Sequence, residues 1–416
     1  MPKNRKNKRK LSSFKQKFNF NFRFKNNNHK FTAPSVIKGS PDKGLLITFI
    51  ALVFFGVIMV YSASFISHSK FWFFTLNQAI WVFIGVFFGS IAYFIDYRLL
   101  PKLILPGFII TITLLVLVLF PQIGTEINGA RRWIDIGPVN IQPSELIKLV
   151  FIIYLAAWTS KAKQHQLSTR SDNKIIEYFM HDLLPFGLIM LFICGLVLLE
   201  PDLATAGVIG FTAICVYFMA SKDKYQISGT IMILVIVLFL GLAAGILAPY
   251  RFARINTYVQ FLTTGQVQDP LDDGYQLQNI LVAVGSGGVF GVGFGESRQK
   301  FHYLGNTAFS DNIYAIIAEE FGFVGATIVA TVFLYILFKG MKIANETEDE
   351  FGKLLVSGIT IWISLQAYLH IAANIGLIPV TGIPMPYVSY GGSSLVTILI
   401  ASGIILNVSK HSKSKY

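Results

Sequence analysis

Runs of about 20 apolar residues recur along this chain, and they constrain its fold more than any other feature. Twenty residues at 1.5 Å each are what an α-helix needs to cross about 30 Å of hydrocarbon. Polar residues are confined between the runs. A large soluble core does not produce that segregation. A soluble chain carries about a quarter charged residues, whereas this one carries 14%, with 53% hydrophobic residues and a mean hydropathy of +0.58. The fold class that follows is an all-α polytopic membrane protein. Ten spans are expected, at 44–66, 72–94, 101–120, 143–159, 183–199, 203–220, 228–247, 309–338, 353–373 and 392–409. The two cysteines, Cys194 and Cys215, both fall inside apolar runs and say little about compartment.

Lys and Arg give the orientation. Placing residues 1–43, "DYRLLPK", "SKAKQHQLSTRSDNK", "SKDKYQ", the 339–353 loop and "SKHSKSK" in the cytoplasm puts 27 of the 35 basic residues there. Seven lie on the other side and Lys148 lies within a span. That is the positive-inside asymmetry. It predicts both termini in the cytoplasm and a large extracytoplasmic loop, 248–308, between the seventh and eighth helices.

The net charge of +13 belongs to the tail. Residues 1–43 hold 13 basic residues against Asp42, a balance of +12, and the rest of the chain comes to +1. The tail interleaves Phe with Lys, Arg and Asn, has no core pattern and reads as disordered. Residues 44–409 are then the membrane domain and 410–416 a basic C-terminus. A basic, Phe-bearing segment beside a membrane helix fits the anionic cytoplasmic leaflet better than nucleic acid. It is not a signal peptide, because the first apolar run starts near Gly44 and is too long for one.

Carboxylates enter the eighth span. "FSDNIYAIIAEE", 309–320, carries Asp311, Glu319 and Glu320. With the 248–308 loop outside, Asp311 sits at the outer mouth and Glu319 about 12 Å deeper. Helical rotation turns Glu319 about 80° and Glu320 about 180° from Asp311, so the three do not serve one point. Asp311 is the residue exposed for chemistry, or else the N-cap of its helix, a position Asp favours. The two glutamates hold helix packing or a polar cavity.

Three segments on the same side mix charge with Gly and Pro. In "NGARRWIDIGPVNIQPSELIKL", 128–149, Arg131 and Arg132 point to opposite faces of any strand, and the guanidinium fork suits phosphate. Glu145 and Lys148 lie three residues apart inside the fourth span and can touch. They are either a functional pair, as costly intramembrane charges tend to be, or an ion pair that only holds helices together. In "GYQLQNILVAVGSGGVFGVGFGESRQKFHYLG", 274–305, the glycines from 285 to 295 superficially suggest a phosphate loop. No buried strand precedes them and no GK[ST] follows, so close-packed backbone over a groove is the better use. Arg298 and Lys300 add cations. In "NIGLIPVTGIPMPYVSYGGSSL", 374–395, Pro and Gly break the helix, which membrane depth tolerates only where backbone is buried or lines a cavity. HExxH, GxSxG and Cys/His clusters do not occur, so hydrolase and metalloprotease chemistry is unsupported.

Taken together, "NGARRW", "QPSELIKL", "EPDLAT" at 200–205, "GYQLQ", "GSGGVFGVGFGESRQK", "AEEFGFVG" and "NIGLIPVTGIPMPYVSYGGSS" resemble the SEDS family (shape, elongation, division and sporulation). The match runs in family order from 128 to 394. Before Asp311 this chain reads "YLGNTAFSDN", where the family has a pattern closer to YLPEAHTDF. The resemblance implies a polymerase that joins lipid II disaccharides into peptidoglycan strands and releases undecaprenyl pyrophosphate. It implies that Asp311 is catalytic, with substrate contacts from Arg131, Arg132, Glu145, Lys148, Gln276, Lys300 and Ser393. The pyrophosphate is compatible with a divalent cation, Mg2+ or Mn2+, for which no ligand set is readable. The implied partners are lipid II, a single-span class B penicillin-binding transpeptidase, other division-complex proteins and membrane lipids. A division role is favoured over an elongation role by the long basic tail. The competing classes are a lipid II flippase, for which no paired-repeat symmetry is found, and a non-catalytic division scaffold.

Overall fold

The structure is a computed structural model. It describes residues 39–64, 71–127, 130–137, 139–166, 179–221, 224–247, 249–265 and 273–412. The basic tail lies outside the described residues apart from its last few positions. The helices are α1 Lys43–Ala63, α2 Phe71–Phe94, α3 Leu100–Leu117, α4 Pro143–Gln166, α5 Leu184–Leu199, α6 Leu203–Ala220, α7 Lys224–Leu247, α8 Pro249–Thr264, α9 Asp273–Ser286, α10 Ile313–Glu346, α11 Glu350–Asn374 and α12 Gly392–Ser409. The chain is a multi-pass membrane protein. Among the described residues, eight helices are long and apolar enough to cross a bilayer, and the apolar stretches Leu184–Leu199 and Gln226–Val237 are shorter. The ten expected spans coincide with α1–α7 and α10–α12.

Helices α11 and α12 are the interior, with about four-fifths of their spanning windows buried, whereas less than a fifth of the windows of α2 and α3 is buried. Phe83, Phe94 and Leu103 point outward, an apolar surface suited to acyl chains rather than water. One core joins α1, α10, α11 and α12, with Trp362, Phe333, Met59 and Tyr387 among its largest buried members. A second joins α3 to α7 around Phe151, Phe186 and Tyr217, where the last two rings stack at 4.2 Å.

The chain is not purely helical. Three short strands, β1 Gly124–Ile127, β2 Ala130–Ile136 and β3 Val139–Ile141, form an antiparallel sheet in the order β1-β2-β3. Thr125 faces Trp133 and Ile134 faces Ile141 across it. The sheet defines one end of the bundle, because Ser393 at the start of α12 bonds to Asn140 and Gln142 there. At the opposite end the N–H of Asp42, before α1, donates to Ser409 of α12 at 3.1 Å.

Two expectations need correction. The eighth span, expected as one run over 309–338, is a broken helix: Gly322 in α10 has φ 67° and ψ −166°. The segment after α9 does not simply lie outside the bundle. Residues 287–293 dock on the backbone of α10 from Ala318 to Val324, the sixth to twelfth residues of that helix. Glycine makes this approach feasible: a Cβ on Gly291 would sit 2.1 Å from Glu320 O.

Candidate functional site

Asp311 lies at the sheet end of the bundle, half-buried, just before α10. The broken segment after α11 wraps around it. Asn374 Nδ2 donates to Asp311 O at 3.0 Å. Ser389 Oγ donates to Ser310 O at 2.6 Å, and Tyr390 N–H to Phe309 O at 2.9 Å. Asp311 Oδ2 faces the backbone of Gly382, where a Cβ would lie 3.8 Å away. Gly382 has φ 69°, a left-handed conformation that glycine adopts without penalty. Asp311 is thus fixed through its backbone while its carboxylate points at the segment 374–395.

The N-cap position of α10 is Asn312, whose side chain makes no capping hydrogen bond, and the Ala315 N–H in the first turn is shared between Asn312 O at 3.0 Å and Asn374 Oδ1 at 3.3 Å. Asn312 is buried, donates to Thr307 Oγ1 at 2.8 Å and accepts from Gln276 of α9 at 3.4 Å. Gln276 therefore reaches the residue adjoining Asp311.

Glu145 and Lys148 form a buried pair at 2.7 Å on α4. Lys148 Nζ also donates to Gln366 Oε1 at 2.9 Å, which accepts from Trp362 Nε1 as well. Gln366 Nε2 in turn donates to Pro384 O at 2.9 Å. His370, one turn on, bonds Ile383 O at 2.7 Å through Nδ1. The pair holds α4 to α11, and its network continues into the loop that faces Asp311. Glu145 Oε2 is buried without a hydrogen-bond partner.

Other candidates are placed differently. The two arginines point to opposite faces of β2, as a strand requires. Arg131 pairs with the exposed Glu126 at 2.9 Å. Arg132, expected on a pyrophosphate, is engaged by the α5–α6 turn: it donates to Glu200 O at 2.9 Å and Pro201 O at 2.6 Å, and lies 3.6 Å from Asp202. Ser393 accepts from the Gln142 N–H and donates to Asn140 O, which ties α12 to the sheet. Lys300, expected as an outer cation, is 1% exposed and bonds Glu320 at 2.7 Å. A lysine so deep needs a carboxylate, because an unpaired buried charge is prohibitive. Glu319 accepts from Ser297 Oγ at 2.5 Å and from the Arg298 N–H at 2.9 Å. Both glutamates are buried and hydrogen-bonded to other segments of the chain. Arg298 itself is exposed.

Sequence reasoning passed over Gln366, His370 and Asn374. Their signal was available: three polar residues at four-residue intervals stripe one face of an apolar helix.

Glu200 is also informative. It follows α5 and is fully buried. Burial first, and Asp202 second, push its carboxyl up to about 8, against Ser144 and Arg132, which pull it down. A carboxyl raised in the fold retains its proton while the unfolded chain ionises, so stability falls as pH rises from the ordinary carboxylate range to about 8. Glu200→Gln should therefore raise the thermal midpoint at pH 8 by about 2 °C or more and leave it unchanged near pH 4.5. An equal gain at both pH values would refute the protonated state.

The family model described as "Cell cycle protein", covering FtsW, RodA and SpoVE, matches residues 43–414. Stage V sporulation protein E of Bacillus subtilis is 39% identical, over 90% of this chain and 99% of its own. A probable peptidoglycan glycosyltransferase FtsW of Geobacter sulfurreducens is 34% identical, over 89% and 96%. Among solved structures, a chain from work titled "Structural coordination of polymerization and crosslinking by a peptidoglycan synthase complex" aligns with TM-score 0.70 at 27% identity, over 89% of this chain and 97% of its own. The rod shape determining protein RodA of Thermus thermophilus aligns with TM-score 0.60 at 25% identity, over 90% and 98%. A match that spans nearly the whole membrane domain, and takes in every segment that surrounds Asp311, is decisive: the chain belongs to the FtsW/RodA/SpoVE cell cycle protein family, the SEDS family.

Proposed function

We propose that this protein is a peptidoglycan glycosyltransferase of the FtsW type, which polymerises lipid II on the outer face of the cytoplasmic membrane during cell division. The observation that carries the reading is the half-buried Asp311, fixed by its backbone at the head of α10 and aimed at the loop on Gly382. Polymerisation needs a general base, since the nucleophile is a neutral sugar hydroxyl. The 4-hydroxyl oxygen of one lipid II attacks the anomeric carbon of another. The bond from that carbon to the pyrophosphate oxygen breaks, undecaprenyl pyrophosphate leaves, and the hydroxyl proton passes to Asp311.

The leaving group carries charge that cations stabilise. Arg131 suits this role, because its partner Glu126 is more exposed than itself and a surface ion pair is cheap to exchange. Arg132 contributes by holding the α5–α6 turn, and Gln276 and Ser393 by shaping the two walls of the site. Glu145 and Lys148 act through Gln366 on the loop at Pro384. A divalent cation, Mg2+ or Mn2+, belongs to this reading as well. Among the described residues no three of His, Cys, Asp and Glu converge on one point. Such an ion would be held largely by phosphate oxygens, and no step above runs through it.

In this reading ten helices span the membrane, both termini are cytoplasmic, and 249–286 lies outside. The basic asymmetry supports it. Thr263, exposed near the end of α8, replaced by Cys should react with an impermeant thiol reagent on whole cells, and Ser412→Cys should not; the opposite pattern would invert the topology. The partners are lipid II, a single-span class B penicillin-binding transpeptidase, other division proteins and membrane lipids. An elongation role of the RodA type is the nearest alternative. Purified protein with its transpeptidase should convert lipid II into glycan strands. Movement of lipid II across a vesicle membrane with no polymer formed would favour a flippase instead.

A further inference from the structure

The break in α10 is filled by another part of the chain. A helix interrupted within a bilayer leaves N–H and C=O groups with neither helical partners nor water. Here the glycine segment after α9 supplies the partners. Val292 and Gly293 N–H donate to Glu319 and Glu320 O at 3.0 and 3.1 Å, while Phe323 and Val324 N–H donate to Gly288 and Val289 O at 2.9 and 3.1 Å. The Cβ of any residue at 287 would lie 2.0 Å from Ala318 O. Phe290 and Val289 of the inserted segment, and Phe323 beside it, are exposed, as apolar groups at membrane depth should be.

Side chains then pin the insert. Lys300 Nζ donates to Glu320 at 2.7 Å, to Gly295 O at 2.8 Å and to Ser62 Oγ of α1 at 3.0 Å, and Ser62 Oγ donates to Glu320 at 2.7 Å. Three separate parts of the chain meet at one buried carboxylate. A buried ion pair is a poor source of stability, since desolvation offsets its attraction, and fixing one arrangement among several is its better-attested use. What it fixes here is the half-helix Ile313–Phe321. Its foot carries Glu319 and Glu320, and its head, about 13 Å away along nine residues, carries Asp311.

We infer that Lys300, Glu320 and Ser62 are a positioning clamp, which seats the glycine segment in the break of α10 and so holds Asp311 at the height the sugar hydroxyl requires. This rests on Asp311 as the base of the proposed polymerase. It gives Lys300 a role through Asp311 rather than through the pyrophosphate.

The test is the initial rate of strand formation against lipid II concentration, using the full chain with its transpeptidase. Lys300→Met should lower kcat on the order of 10²-fold, the effect of a displacement of about 1 Å, with KM changed by no more than about twofold, since ground-state binding is kept. Removing both charges relieves the stranded carboxylate, so Lys300→Met/Glu320→Gln should recover to within about tenfold of wild type. Ser62→Ala, which carries no charge, should lower kcat with KM held. A rise in KM with kcat intact, or a folded double variant no better than Lys300→Met, would overturn the clamp in favour of a substrate contact. Where size-exclusion profiles show that the Lys300 variants do not fold, Ser62→Ala decides, and a wild-type kcat there refutes the proposal. Failure of the base itself reads differently: Asp311→Asn would then polymerise normally, whereas failure of the clamp leaves Asp311→Asn inactive.

Discussion

Asp311→Asn should lower polymerisation by about 10² or more, with the protein still folded and still bound to its transpeptidase. The substitution keeps the shape of the side chain. It does not disturb the start of α10, whose N-cap is Asn312 and whose Ala315 N–H is held by Asn374. The backbone bond from Asn374 to Asp311 O is equally untouched. What changes is the carboxylate and its ability to take a proton, so a fall in rate isolates that chemistry. Strand synthesis from purified lipid II, with gel-filtration and pull-down controls, makes the measurement. A wild-type rate would remove Asp311 from the reaction. Glu319→Gln should differ in kind: its carboxylate holds Ser297 and Arg298 N–H, so the loss should appear in yield of folded protein.

Gly322→Ala should be severely damaging for a single added methyl. The φ of 67° with ψ of −166° is a combination essentially confined to glycine and costs other residues about 1–3 kcal/mol. The new Cβ would also meet Gly291 N at 2.3 Å and Val289 O at 2.5 Å. Both neighbours are backbone and neither can swing aside. Overpacking adds about 1–3 kcal/mol, and moving the inserted segment would uncover the hydrogen bonds from Phe323 and Val324. The sum rivals a domain's whole stability margin of about 5–15 kcal/mol. Folded protein recovered after detergent extraction should drop sharply. Gly195→Ala, on α5 with open space around its Cβ position, should express normally. Normal yield and thermal midpoint for Gly322→Ala would show that the break does not need glycine.

Much of this architecture was readable without coordinates. The ten apolar runs each fall on a described helix, eight of them long and apolar enough to cross a bilayer, because the cost of bare backbone in hydrocarbon imposes both helical structure and minimum length. Charge bias alone supports the orientation. Asp311 stood out because an ionisable residue beside an apolar run is expensive, and the opposed directions of Arg131 and Arg132 followed from strand periodicity.

The partners of those residues were not readable. Lys300 is separated from Ser62 by 238 positions and Lys148 from Gln366 by 218, and nothing local marks either pairing. Whether a lysine near a membrane surface faces water or a carboxylate depends on which helices pack against it. The same holds for Arg132, whose donors are taken by the turn at Pro201. The glycines from 287 to 293 declared close backbone approach, but the surface approached is the break in α10, and that break appears only when the two segments meet. Sequence by itself therefore determined which segments enter the membrane and which residue types are too costly there to be idle, since those follow from transfer free energies of single groups. Tertiary structure alone decided which charges are paired inside and which remain available to a substrate, because pairing is a property of two distant groups brought together by packing.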